Sequence, residues 1–264
     1  ATTMLSKRPN YRFSLLLLDE GEFYLQDFSA HYFPPAATER ASMAAKQKGR
    51  LKLCSHSLVF DPEQLREPVV RVPFAAITRL GKMERGTLLD AVRTDSGGGS
   101  GSAAAASSAD LIVVEATTSI AMRANNRNVP YQFRNGAATH AFLLLYVGSD
   151  ALLAQMQSLW QIAKLGQGEE QERRYRAILD EKERSISFDP SLVVDFTERR
   201  VLELTCSRIT PLVTEPGRVL LTNKRVYFQP FNNVHVEPVQ VIALATVVRI
   251  VRRRYALRHV GLEL

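Results

Sequence analysis

The sequence of 264 residues holds only two cysteines, Cys54 and Cys206, and no C-x-x-C spacing. A disulfide framework needs more than that, so the pair reads as two reduced thiols of an intracellular protein. Long apolar runs are missing too. The longest stretch, Val239–Val251, is interrupted by Gln240, Thr246 and Arg249, too short and too polar to span a bilayer. Ala1–Asn10 is polar and reads as no signal peptide. The histidines, His31, His56, His140, His235 and His259, are scattered, which leaves metal sites unsupported. No nucleophile elbow, kinase signature or P-loop is present. Glycines do cluster in 93–109, but poly-Ala and Ser follow them instead of Lys-Ser or Lys-Thr. That composition predicts a flexible insertion between strands, not a phosphate loop. Asp19 and Glu20 are adjacent carboxylates in a turn, where solvation is the expected state. Together these absences predict a protein that is not an enzyme and carries no cofactor or metal.

What is present is a globular composition with a basic surplus. The hydrophobic fraction of 45% is enough for real cores, and 34 Lys and Arg against 27 Asp and Glu give a net charge of +7. The surplus favours acidic partners, among them anionic lipid, nucleic acid or an acidic protein face. Short apolar runs broken by turn residues predict strands at Tyr11–Leu18, Glu22–Phe28, Gly49–Phe60 (two, joined at Ser55-His56), Val69–Val72, Ala75–Leu80, Leu111–Ala116, Ser119–Arg123 and Ala141–Val147. Thr38–Lys48 reads as a short helix or a loop. In Asp150–Leu165, residues Leu152, Leu153, Met156, Leu159, Trp160 and Ala163 recur at helical spacing, with Ser149 or Asp150 as the cap. Gly166 and Gly168 end that helix and mark a boundary. Glu169–Arg184 is densely charged with mixed signs and reads as a solvated helix or linker.

The strongest signal is an internal repeat. Gly49-Arg50-Leu51-Lys52-Leu53-Cys54-Ser55-His56-Ser57-Leu58-Val59-Phe60-Asp61-Pro62 matches Gly217-Arg218-Val219-Leu220-Leu221-Thr222-Asn223-Lys224-Arg225-Val226-Tyr227-Phe228-Gln229-Pro230. A second block pairs Glu67-Pro68-Val69 with Glu237-Pro238-Val239, and Ile77–Leu80 with Val247–Ile250. Each copy predicts a hairpin. Leu51, Leu53, Leu58 and Phe60, or Val219, Leu221, Val226 and Phe228, share one face across a tight polar turn.

The pattern Gly-x-φ-x-φ-[Ser/Thr]-x-x-x-φ-x-Phe resembles GRAM domains and the pleckstrin-homology (PH) superfold, a curved antiparallel barrel capped by a C-terminal helix. From Glu203 onward the chain also resembles the PH-type module that precedes BEACH domains. It has Cys206 before Ile209-Thr210-Pro211, Tyr227-Phe228 closing the hairpin, and Arg253-Arg254-Tyr255 ahead of Leu262-Glu263. Within that family, Arg12–Leu18 and Thr210–Thr214 resemble the branch associated with neutral sphingomyelinase activation.

The expected fold is therefore mainly β: two PH/GRAM-like barrel modules in tandem. The first spans 11–165 and is closed by its helix. A charged linker covers 166–190. The second spans 191–264 and is incomplete, because the family's module continues past the strand that holds Leu264. The resemblance implies an adaptor or scaffold, cytoplasmic and peripheral to membranes or within a large complex. Lys46, Lys48, Arg50 and Lys52 are candidates for gripping a phosphoinositide, since alternate residues of a strand face one way. The alternative is an ordinary solvated face opposite Leu51 and Leu53. Arg249, Arg252, Arg253, Arg254, Tyr255 and Arg258 are candidates for docking a BEACH domain or another chain that completes the second module. A purely structural subunit with no lipid role is the competing expectation. Nucleic acid is not expected, because aromatics interleave with neither basic cluster.

Overall fold

The structure is a computed structural model that describes residues 12–35, 46–83, 111–123, 130–166, 168–232, 237–255 and 258–264. The chain divides into two compact units, Ala1–Ala177 and Ile178–Leu264. The glycine-rich stretch 93–109 and most of Thr38–Lys48 lie outside the described residues.

Seven strands build the first unit: β1 (Tyr24–Phe33), β2 (Gln47–Cys54), β3 (Ser57–Pro62), β4 (Val69–Pro73), β5 (Ile77–Met83), β6 (Leu111–Met122) and β7 (Tyr131–Leu144). They are antiparallel in the order β4-β3-β2-β1-β7-β6, and β6 returns to β4. Six strands thus close a barrel, each paired on both sides over at least part of its length. One side of β6 is shared: Ile120–Met122 pairs with β4, and Leu111–Ala116 pairs with β5. A 3-10 turn at Phe74–Ala76 lets the chain step from β4 to β5 along that same neighbour.

Inside the barrel, Tyr32 packs on Phe60 and Phe142 with centroid separations of 4.9 and 5.1 Å. Leu51, Leu53 and Leu58 are buried around them, on the face that the alternation predicts. Helix α1 (Ser149–Lys164) lies over the 3-10 turn and β5. It buries Leu152, Met156, Leu159 and Ile162, and the Trp160 indole donates to the Ile77 carbonyl at 2.9 Å. Its cap is Gly148, without a side-chain bond; Asp150 sits instead in the first turn, where a carboxylate opposes the helix dipole. Helix α2 (Glu169–Ser185) follows, its N-terminal turns carrying the exposed pairs Glu170–Arg174 and Glu172–Arg176.

Three strand expectations change. The leading run is no strand: Leu15–Leu17 forms a 3-10 turn capped by Ser14, and the amides of Arg12 and Phe13 both donate to the Asp61 carboxylate at 2.9 Å. Side chains satisfy the backbone there, so no ladder forms. Conversely, β7 begins ten residues before the predicted Ala141, and β6 is one strand with an irregularity between Ala116 and Thr118.

In the second unit, β8 (Arg200–Ile209), β9 (Thr214–Thr222), β10 (Arg225–Pro230) and β11 (Gln240–Ala243) form a sheet in the order β11-β10-β9-β8. β12 (Val251–Tyr255) and β13 (Arg258–Glu263) pair with each other. The core is small: Phe188, Leu220 and Tyr227, with Leu192, Val193 and Val239 against them.

The repeat holds at the level of register. Gly49 faces Pro62 and Leu53 faces Leu58; Gly217 faces Pro230 and Leu221 faces Val226. The turn before β5 is tied by Phe74 N–H to His56 O, and its counterpart by Leu244 N–H to Lys224 O, both at 2.9 Å. The strand preceding each hairpin carries a register shift at the matching place, Tyr24/Gln26 and Arg200/Leu202. The first glycine of each copy has a steric reason. A Cβ on Gly49 would sit 2.7 Å from the Phe60 ring and 2.4 Å from Asp61 O, and one on Gly217 would sit 2.6 Å from the Phe228 ring. Each phenylalanine lies across the neighbouring strand in space that only glycine leaves.

Val219, Leu221, Val226 and Phe228 do share one face of the second hairpin, but Val219, Leu221 and Val226 are only half-buried, whereas Leu220 and Tyr227, on the opposite face, are fully enclosed.

Candidate docking surfaces

The cation row of β2 does lie on one strand, but in three different environments. Lys46 is exposed at its entry. Lys48 is exposed and paired with Glu63 at 3.0 Å. Arg50 reaches Asp27 at 2.6 Å and Ser29 Oγ at 2.6 Å. Lys52 is buried, 3.4 Å from the same Asp27 carboxylate and over the Phe13 ring at 4.9 Å. Arg50 and Lys52 therefore neutralise Asp27 within the unit, and Lys46 and Lys48 are the two members that meet solvent.

A second ionic group was hidden in the sequence. Glu22 is buried and accepts from Ser57 Oγ and from Arg71 Nη2, both at 2.6 Å. Arg71 also holds Asp19, whose carboxyl stays below its ordinary range because of that hydrogen bond. The second unit repeats the node. Glu198 is enclosed and binds Arg225, Thr222 Oγ1 and Tyr227 OH. Burial would raise the Glu198 carboxyl, but those donors outweigh it and hold it low. The spacing Asp19-x-x-Glu22 and Asp195-x-x-Glu198 was the available signal. In both, the Glu amide donates to the Asp carbonyl at 3.0 Å. Adjacent carboxylates in a turn look solvated, and the arginine that buries Glu22 is 49 positions away.

His140 is a buried titratable group of the barrel interior. Its Nδ1 is 2.7 Å from Tyr32 OH, and burial, with a smaller effect from the Arg134 charge, lowers its pKa to about 4. Cys54 is buried and Cys206 is half-buried, neither is in a disulfide, and burial pushes the Cys206 thiol up. Among the described residues no group of His, Cys, Asp or Glu could hold a metal ion, and no helix is long and apolar enough to cross a membrane.

The arginines of β12 and β13 are exposed. Arg253 pairs with Glu263, while Arg249, Arg252 and Arg258 have no ion pair among the described residues; Arg254 and Tyr255 are exposed on the same strand. Of these, Arg249 lines a groove beside apolar residues of the same unit. Positions that are core in the first unit are open in the second: Val72 is 1% exposed and Ile242 40%, Phe74 0% and Leu244 37%, Leu80 8% and Ile250 63%. A groove of about 370 Å³ is lined by Ile242, Thr246, Val248, Arg249, Val251, Glu263 and Leu264.

A six-stranded antiparallel barrel with an additional strand along β6 and a helix packed over β5 is a PH-type fold. A family model described as the FAN protein N-terminal PH domain matches residues 1–174, and the chain belongs to that family. Domains of this class are in general non-catalytic modules that bind lipid or protein.

Proposed function

We propose that the chain is a non-enzymatic adaptor of a BEACH-type protein, and that its second unit docks protein. The open apolar face of that unit carries the reading. Ile242, Leu244 and Ile250 occupy positions whose counterparts in the first unit are barrel core, and exposed apolar area of this kind is the usual mark of an interface. Arg249 lines the groove there, and Arg252 and Arg258 are exposed on the same unit; such guanidinium groups fit an acidic partner surface, which they engage bidentately. A BEACH domain with an acidic docking face is the proposed occupant.

Calorimetric titration of the chain with a purified BEACH domain tests this. Saturable binding is expected, weakened about tenfold or more by Leu244→Asp or Arg252→Glu. The fluorescence-detected unfolding of the first unit should not change in either variant. No heat of binding, or variants that bind as the wild type does, would sink the proposal.

A phosphoinositide reading of the first unit is supported only by Lys46 and Lys48, the solvent-facing members of the β2 row. Flotation with phosphoinositide vesicles should then fall on Lys46→Glu with Lys48→Glu. Arg50 and Lys52 are unsuitable for this test, since both hold Asp27.

A further inference from the structure

β7 is longer than the strand beside it. β1 reaches only Ala141–Leu144, so Tyr131–Ala138 is bonded on one side alone, to β6. Its other edge has no strand partner among the described residues. Tyr131 through Ala137 are all exposed, on both faces of the strand. Between Ala116/Ala138 and Thr118/Asn135 the register gains one residue on β7, where Gly136 adopts a φ of 128°. Beyond this bulge Tyr131 and Phe133 alternate onto one face, opposite Met122 and Ile120, and remain 49% and 64% exposed. Arg134 and Arg123 are exposed without an ion pair among the described residues, and 130–138 contains no acidic residue.

We propose that the edge of β7 away from β6, unpaired among the described residues, takes an extended acidic peptide as an added strand. The backbone groups of Tyr131–Ala138 supply the ladder, Tyr131 and Phe133 the apolar contacts, and Arg134 and Arg123 the selection for acidic side chains. Eight residues at about 3.3 Å each give a ladder roughly 26 Å long. The orientation is antiparallel, because β1 already runs antiparallel to β7 on that edge and the peptide extends its line. An arginine on the edge repels a basic strand while admitting an acidic one. A membrane surface could also meet exposed aromatics and arginines. The unpaired ladder favours the peptide, since lipid headgroups offer no matching row of donors and acceptors. The surface belongs to the first unit and does not depend on how the second unit is used.

The probe is a fluorescein-labelled octapeptide alternating Glu with Val or Thr, titrated with the full chain at low salt and read by anisotropy. Binding should saturate, and hydrogen exchange should slow at amides within Tyr131–Ala138. Arg134→Glu, and Tyr131→Ser with Phe133→Ser, should each weaken it about tenfold or more. A version N-methylated at alternate residues should lose binding on any variant, which separates ladder formation from charge attraction even if a substitution perturbs folding. Absence of saturable binding overturns the proposal. So does equal binding of the N-methylated peptide, or protection confined to other strands. Flotation on phosphatidylserine vesicles that depends on Arg134 and Phe133, with no response to the peptide, overturns it in favour of a membrane site.

Discussion

Acidification should destabilise the first unit through His140. The imidazole is buried among Tyr32, Phe142 and the neighbouring strands, and Tyr32 OH occupies Nδ1. Burial lowers its pKa from 6.5 to about 4. A group with a lowered cationic pKa binds its proton more readily in the unfolded chain. Stability is therefore full above pH 6.5 and is lost as the pH falls toward 4. Across both values the loss approaches about 3 kcal/mol, and between pH 7.5 and pH 5 it is about 2 kcal/mol. Trp160 is the single tryptophan and lies in α1, so its fluorescence follows the unfolding of this unit. Urea unfolding of the wild type and of His140→Gln at the two pH values isolates the effect, because other titrating groups cancel in the comparison. Glutamine retains an acceptor for Tyr32. The wild type should lose about 2 kcal/mol more than the variant over this interval. Equal losses, or an imidazole that titrates near 6.5 by NMR, would refute the reasoning.

The two hairpin glycines should respond alike. Gly49→Ala and Gly217→Ala each force a Cβ into a phenylalanine ring and a backbone carbonyl, and each should cost about 1–3 kcal/mol in urea unfolding of its own unit. The β2 lysines should respond differently. Lys48→Glu, at an exposed pair, should change stability by less than about 0.5 kcal/mol. Lys52→Glu, which sets a second carboxylate beside buried Asp27, should cost at least about 3 kcal/mol and lower the midpoint followed by Trp160.

The hairpins were legible because two local rules coincide in them. Alternation fixes the face, and a polar turn between two short apolar runs fixes the register, so Leu51, Leu53, Leu58 and Phe60 could be placed without any long-range knowledge. Helix α1 was legible for the same reason, through its 3.6-residue stripe. What escaped depends on partners distant in the chain. Leu15–Leu17 has the composition of a strand, but Asp61 takes up the amides before it and Ser14 caps the turn. The first ten residues of β7 include Gln132, Arg134, Asn135 and Gly136, with no apolar alternation sustained, because most of them face solvent on both sides. The β2 lysine row was visible as a row, yet only the fold reveals Asp27 beneath Arg50 and Lys52.

The paired carboxylate nodes allow a stricter test of the duplication. Both units bury a glutamate ahead of the first strand of the repeat, and both supply it with a guanidinium, but from different strands. In the first unit the donor is Arg71 on β4, and Ser57 stands at the start of β3. In the second the donor is Arg225 at the start of β10, the counterpart of Ser57, and Val241 occupies the counterpart of Arg71. What the node requires is one arginine within reach of the carboxylate, from either strand. Arg71→Val alone strands Glu22 as a buried charge with the Ser57 hydroxyl, which should cost about 3–5 kcal/mol. Adding Ser57→Arg transfers the arrangement of the second unit to the first and should return at least about 2 kcal/mol of that loss, a coupling well beyond the additivity of independent sites. Urea unfolding followed by Trp160 measures the wild type, the single variant and the double variant. A double variant no more stable than Arg71→Val would mean that the two nodes share only a glutamate, and that the equivalence of the two units ends at the hairpin.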